Sequence, residues 1–94
     1  MTDPLIDPIE DLDVTGLRCP LPILKAGKRL RAMAPGSLLR VHATDPMAGL
    51  DFPHFCRETG HDLIEATETE VGLLLFVIRR GVAAIALDSE QGLY

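Results

Sequence analysis

Asp11-Leu12-Asp13-Val14-Thr15-Gly16-Leu17-Arg18-Cys19-Pro20-Leu21-Pro22, followed by Ile23 to Ala34, is the stretch that decides how this chain is read. Asp11-Leu12-Asp13-Val14 alternates polar and apolar residues, the period-two pattern of a half-buried strand. Strand one is expected over about Leu12 to Thr15, with Gly16 ending it. Downstream, Ile23, Ala26, Gly27, Leu30, Met33 and Ala34 follow the i, i+3, i+4, i+7 spacing of a helical core stripe. A helix is therefore expected from about Pro20 to Ala34, with Cys19 where the strand gives way to it. Pro20 suits the first helical position, where its missing N–H has no partner to lose. Pro22 still falls within the first turn, where a proline is tolerated.

That placement predicts an activated thiol. A helix N-terminus carries roughly half a positive charge, which stabilises anions by about 0.3–1 kcal/mol. Arg18 adds a full charge next to Cys19. Both should lower the cysteine pKa, and the thiolate is the nucleophile. The two prolines remove competing donors, so the Leu21 N–H is the expected backbone partner of a capping sulfur. The opposing reading is a buried, inert cysteine, the usual fate of a free thiol; a position between arginine and proline at a helix start argues against it.

Outward from this stretch, residues 1–10 contain two prolines and no clear period, and read as a flexible N-terminal arm. Pro35-Gly36 stops the first helix. Leu39, Val41 and Ala43 alternate with Arg40, His42 and Thr44 as a second strand with one buried face. A helix between two strands makes a βαβ unit, for which a parallel pairing and a right-handed crossover are expected. Asp45-Pro46 begins an irregular helical turn through Leu50, and Asp51 offers a second N-cap from which Phe52, Phe55, Cys56 and Thr59 share a face up to Gly60. Leu63 to Thr67 is a third strand, Thr69 to Gly72 a turn, and Leu73 to Ile78 a fourth and strongly apolar strand. The expected fold is an α/β (α+β) two-layer sandwich, β-α-β-α-β-β, with a mixed four-stranded sheet and two helices on one face. The domain spans residues 11–81, leaving 82–94 as a C-terminal extension. Both faces of the fourth strand are apolar, so the apolar run Val82 to Leu87 is expected to pack back onto the sheet or onto a second copy.

Composition narrows the function. The chain has 94 residues and a net charge of −5, which suits one small domain and argues against a nucleic-acid binder, since phosphate contacts need a basic surface. Two cysteines make no disulfide framework. An acidic start lacks the features of a signal peptide, and no apolar run reaches the ~18 residues of a membrane span. A cytoplasmic, reducing location is expected, with no membrane and no direct nucleic-acid partner. The charge is uneven: Arg18, Lys25, Lys28, Arg29 and Arg31 are five of the nine basic residues and lie on or beside the first helix.

Gly16-Leu17-Arg18-Cys19-Pro20-Leu21-Pro22 resembles the Cys-Pro-x-Pro signature of the TusA/SirA-like sulfur-carrier family. The likeness continues through Pro35-Gly36, Thr44-Asp45-Pro46, Phe52-Pro53-His54-Phe55-Cys56, Gly60-His61-Asp62-Leu63 and Ile78-Arg79-Arg80-Gly81, covering about Leu12 to Gly81. The resemblance implies a sulfur relay in which Cys19 accepts persulfide sulfur from a cysteine desulfurase or another sulfurtransferase. A downstream acceptor protein then receives it, for tRNA thiolation, cofactor assembly or sulfur oxidation. Arg18, Pro20, Leu21 and Pro22 would support the thiol at the helix end. No cofactor and no metal are called for. Thiol–disulfide exchange chemistry agrees with this, since a low-pKa thiol both attacks and leaves readily.

Leu21 stands where some members carry an acidic residue. With the core stripe inward, Leu21, Leu24, Lys28 and Arg31 form one outward sector, read as a docking surface whose basic residues steer toward an acidic partner; the plain alternative is a solvated helix face. The tail after Gly81 exceeds the usual family end, so the expected monomer has a surface through which copies can associate weakly. Cys56 reads as a buried structural thiol rather than a resolving cysteine. A metal site from His54, Cys56 and His61 is disfavoured because His54 and Cys56 point apart on a helix. Asp45 reads as an N-cap, and Arg79 and Arg80 as strand-end solubility charges able to hold an incoming anion. Besides the carrier, two classes stay open: an independent thiol-dependent sulfurtransferase, which needs an acid–base partner near Cys19, and a regulatory module in which Cys19 senses oxidation.

Overall fold

A computed structural model describes residues 9–82 of the chain. Its elements run β1 (Ile9–Asp13), α1 (Leu21–Ala32), β2 (Leu38–Ala43), α2 (Ala48–Thr59), β3 (Asp62–Glu68) and β4 (Leu74–Arg79). The sheet order is β1-β2-β4-β3. β1 and β2 are parallel, as a crossover through a helix requires, whereas β2–β4 and β3–β4 are antiparallel. The expected β-α-β-α-β-β sandwich with a mixed four-stranded sheet is the observed fold.

Strand alternation places the core. Leu39, Val41 and Ala43 of β2 and Phe76 and Ile78 of β4 are buried on the helix side, against Ile23, Ala26 and Leu30 of α1 and Phe52, Phe55 and Cys56 of α2. Phe52 stacks on Phe76 with ring centroids 4.6 Å apart and meets Phe55 edge-on at 6.5 Å, both favoured aromatic geometries. On the opposite face, Asp11 accepts from Arg40 Nε at 2.7 Å and Nη2 at 3.1 Å, with His42 Nε2 at 2.8 Å. Between these strands' polar residues, Leu75 and Val77 of β4 are half-buried. The segment expected to cover this face lies, apart from Val82, outside the described residues.

Several boundaries differ from expectation for identifiable reasons. β1 starts already at Ile9, inside the expected arm, because Ile9 pairs with Leu38 and Glu10 forms an ion pair with Arg29 of α1. α1 ends at Ala32: Met33 turns extended, its N–H bonding the Leu30 carbonyl, and Ala34 is exposed rather than part of the core stripe. The second helix is continuous from Ala48 to Thr59, not an irregular turn followed by a new start at Asp51. Asp51 instead lies in its first turn and donates its N–H to the Met47 carbonyl at 2.9 Å. Pro53 removes the helical donor to the Gly49 carbonyl, a loss confined to an exposed turn. Gly60 closes the helix with φ of 82°, as a left-handed C-cap should.

Arg80 departs furthest from its expected role. It is not a solvated strand-end charge: only 1% of it is exposed, and its Nε donates to the Leu30 carbonyl at 2.9 Å while Nη1 donates to the Gly81 carbonyl. The guanidinium thus donates to one carbonyl in the last turn of α1, where cations are favoured. Arg79 does face solvent, 3.8 Å from Asp62.

Candidate functional site

The cysteine loop is built by short-range turns and then tied to a neighbour. Asp13 Oδ1 accepts from the Thr15 N–H and hydroxyl, and the Leu17 N–H returns to the Val14 carbonyl. Gly16, at φ of 81°, makes this reversal, a conformation that costs other residues more. Two long-range bonds then fix the loop to the β2–α2 connection: Gly16 N–H to Thr44 Oγ1 at 2.8 Å, and Cys19 N–H to Asp45 Oδ2 at 2.6 Å. Asp45 Oδ1 also accepts from the Met47 N–H at 3.1 Å, so its carboxylate joins the starts of both helices. These bonds, helped by Arg18, hold the Asp45 carboxyl below its ordinary pKa.

Cys19 is exposed, but it is not the helix cap. Pro20 occupies that position, its carbonyl accepting the Leu24 N–H at 3.1 Å, and the Cys19–Pro20 peptide is cis. Leu21 is the first helical residue. Its N–H does not meet the sulfur; it donates to the Arg18 carbonyl at 2.8 Å. With that donor taken and Pro22 having none, the first two helical positions offer the sulfur no backbone partner.

The expected fall in thiol pKa is reversed. The Asp51 carboxylate in the same cleft pushes the Cys19 pKa up, and partial desolvation and the charge of Asp45 add to it. Cys19 and Asp51 share a cleft of about 270 Å³ between the two helices, lined also by Pro20, Ile23, His54, Phe55, Glu58 and Thr59. The thiol therefore rests protonated, with one apolar wall and one acidic wall. Asp51, His54 and Glu58 were not predicted as its neighbours. The available signal was topological: parallel β1 and β2 deliver the loops that follow them, and so the starts of α1 and α2, to the same sheet edge.

Comparison with known proteins adds an independent finding. A profile of the TusA family, described as sulfurtransferase TusA, matches residues 10–80. The chain belongs to the TusA family. It is 48% identical over 80 residues to the sulfur carrier protein TusA of Pseudomonas paraeruginosa, covering 85% of this chain and 96% of that protein. It is likewise 48% identical over 71 residues to the sulfur carrier protein TusA of Allochromatium vinosum, covering 76% and 92% respectively. A crystal structure of a SirA-like protein from Desulfitobacterium hafniense superposes with a TM-score of 0.69 at 23% identity, covering 78% of this chain and 97% of that one. That similarity supports the shared fold.

Within this TusA-family chain the remaining candidates separate clearly. Leu21 and Lys28 are exposed and Leu24 and Arg31 partly so, all on α1. Cys56 is buried and its thiol is pushed up to about 12, chiefly by burial. His61 is buried, its ring centroid 5.7 Å from that of Phe55, with Nδ1 accepting the Gly81 N–H at 3.0 Å. His54 instead faces the cleft beside Cys19. Met47 and Leu50, 46% and 69% exposed, add apolar surface at the start of α2.

Proposed function

We propose that this protein is a sulfur-relay carrier that receives persulfide sulfur on Cys19 from a cysteine desulfurase or another sulfurtransferase and hands it to an acceptor protein. The observation that carries this reading is an exposed Cys19 in the Cys-Pro-x-Pro stretch, at a sheet edge where its loop is tied down by Asp45. A held but accessible sulfur suits exchange with successive partners, because the attack and the release both pass through the same atom. The receiving process is tRNA thiolation, cofactor assembly or sulfur oxidation. Arg18, Pro20, Leu21 and Pro22 shape the support around the sulfur. Leu21, Leu24, Lys28 and Arg31 form the docking sector, where Lys28 and Arg31 steer an acidic partner. The free, exposed Cys19 fits a monomer working in a reducing cytoplasm.

His54 beside Cys19 gives the stand-alone sulfurtransferase reading an acid–base candidate. The carboxylates of Asp51 and Glu58 in the same cleft oppose it, since they repel an inorganic anion such as thiosulfate. The test is the intact mass of the protein after incubation with desulfurase and cysteine, beside a sample given thiosulfate alone. Gain of one sulfur, about 32 Da on a thiol, in the first sample supports the carrier. Turnover of thiosulfate alone would establish the enzyme instead.

A further inference from the structure

We propose that Asp51 is the proton acceptor for the Cys19 thiol during sulfur transfer. This rests on the carrier reading and assigns a role to a second residue of the site. Asp51 lies in the first turn of α2 and Cys19 in the loop before α1, and both line the cleft between those helices. The Cys19 N–H to Asp45 bond at 2.6 Å ties the loop that carries the thiol to the connection leading into α2. Asp51 is partly buried, and the cleft's other wall is Pro20, Ile23 and Phe55. This carboxylate is also the largest cause of the raised thiol pKa.

A carboxylate beside a nucleophilic thiol is otherwise a handicap. It lowers the thiolate fraction and so should slow every reaction of the sulfur. The handicap disappears if the carboxylate receives the proton as the sulfur attacks, which is general base catalysis. In the step, the Cys19 proton passes to Asp51 while Sγ attacks the outer sulfur of a donor persulfide, R–S–SH. The donor S–S bond breaks, and its electron pair stays on the inner donor sulfur. That thiolate takes the proton back from Asp51, leaving Cys19–S–SH and R–SH with no net oxidation. The other charged or titratable groups near the thiol are Arg18 in its own loop, Asp45 in the β2–α2 connection, and His54 and Glu58 on α2.

Two rates separate this role from simple electrostatics. Asp51→Asn and Asp51→Glu would be compared with the wild type in alkylation of Cys19 by iodoacetamide across pH, and in sulfur acceptance from glutathione persulfide at neutral pH. Removing the carboxylate should lower the alkylation midpoint and speed alkylation at neutral pH, yet slow sulfur acceptance about tenfold or more. Asp51→Glu, which keeps a carboxylate, should retain most of the transfer rate. If Asp51→Asn accepts sulfur faster, in step with its alkylation, or if the glutamate variant is as slow as the asparagine one, the proposal is wrong. Alkylation of Cys56 would report an unfolded variant, and the Asp51→Glu comparison then decides. A wild-type protein that gains no sulfur from any persulfide donor would instead refute the carrier reading, and this step with it.

Discussion

Cys19 could be singled out as the proposed reacting residue from its immediate neighbours, because a strand end, an arginine and a proline-rich helix start all lie within a few residues of it. The direction of its pKa could not be read in that way, since the groups that decide it, Asp51 and Asp45, come from the far side of β2. A local reading counts the helix end and Arg18 but cannot see a carboxylate brought in through the fold. The consequence is measurable: the Cys19 thiol should ionise above the ordinary cysteine range, visible as an alkylation midpoint displaced to higher pH. Cys56 differs in kind. Burial moves its thiol from 9.0 to about 12, so the folded state holds this proton more tightly than the unfolded chain does. Its contribution to stability is complete below 9.0 and is lost as the pH climbs toward about 12. Urea midpoints of wild type and Cys56→Ala across that window should show the steeper decline in the wild type; parallel curves would contradict the burial argument.

At the scale of elements, periodicity located all four strands and both helices, while their ends depended on contacts far away in sequence. Strand β1 reached back to Ile9 only because β2 offers Leu38 as a partner. Helix α2 ran through Asp51 because the Asp51 N–H found the Met47 carbonyl, a helical bond that competes with an N-cap role. The end of β4 was the least legible piece, because two adjacent arginines look alike until one is buried. Arg80 donates to the Leu30 carbonyl near the end of α1; Arg80→Met should remove this buried bond from a charged donor and cost about 1.5–3 kcal/mol, read by urea denaturation. Gly81 is constrained more tightly still. A Cβ there would lie 1.9 Å from the Gly60 carbonyl oxygen, a backbone atom that cannot swing aside. Gly81→Ala should therefore lose at least the about 1–3 kcal/mol of ordinary overpacking, and a stability equal to wild type would show that the β4 end and the α2 cap are not so joined.

On the scale of the whole molecule, one topological fact organises the site. Parallel β1 and β2 each lead into a helix from the same sheet edge, so the thiol loop and the acidic start of α2 meet there. The thiol then has carboxylates on its α2 side and, along α1, a face carrying Lys28 and Arg31. A partner matched to the α1 face should feel that charge. Lys28→Glu combined with Arg31→Glu is expected to slow relay from a desulfurase while leaving alkylation of Cys19 unchanged; normal relay would remove the docking role. The two-layer fold itself could be read from alternation and helical spacing, because each strand and helix has one apolar side to bury. The cleft between the helices could not, since it depends on how those elements meet. The claim on which everything rests is that Cys19 bears the sulfur. Peptide-level mass spectrometry of wild type and Cys19→Ser after loading with desulfurase and cysteine tests it most directly. The expected result is a gain of about 32 Da, one sulfur on a thiol, confined to the Cys19 peptide, removed by reductant and absent from Cys19→Ser. Sulfur found on Cys56, or retained by the serine variant, would contradict it.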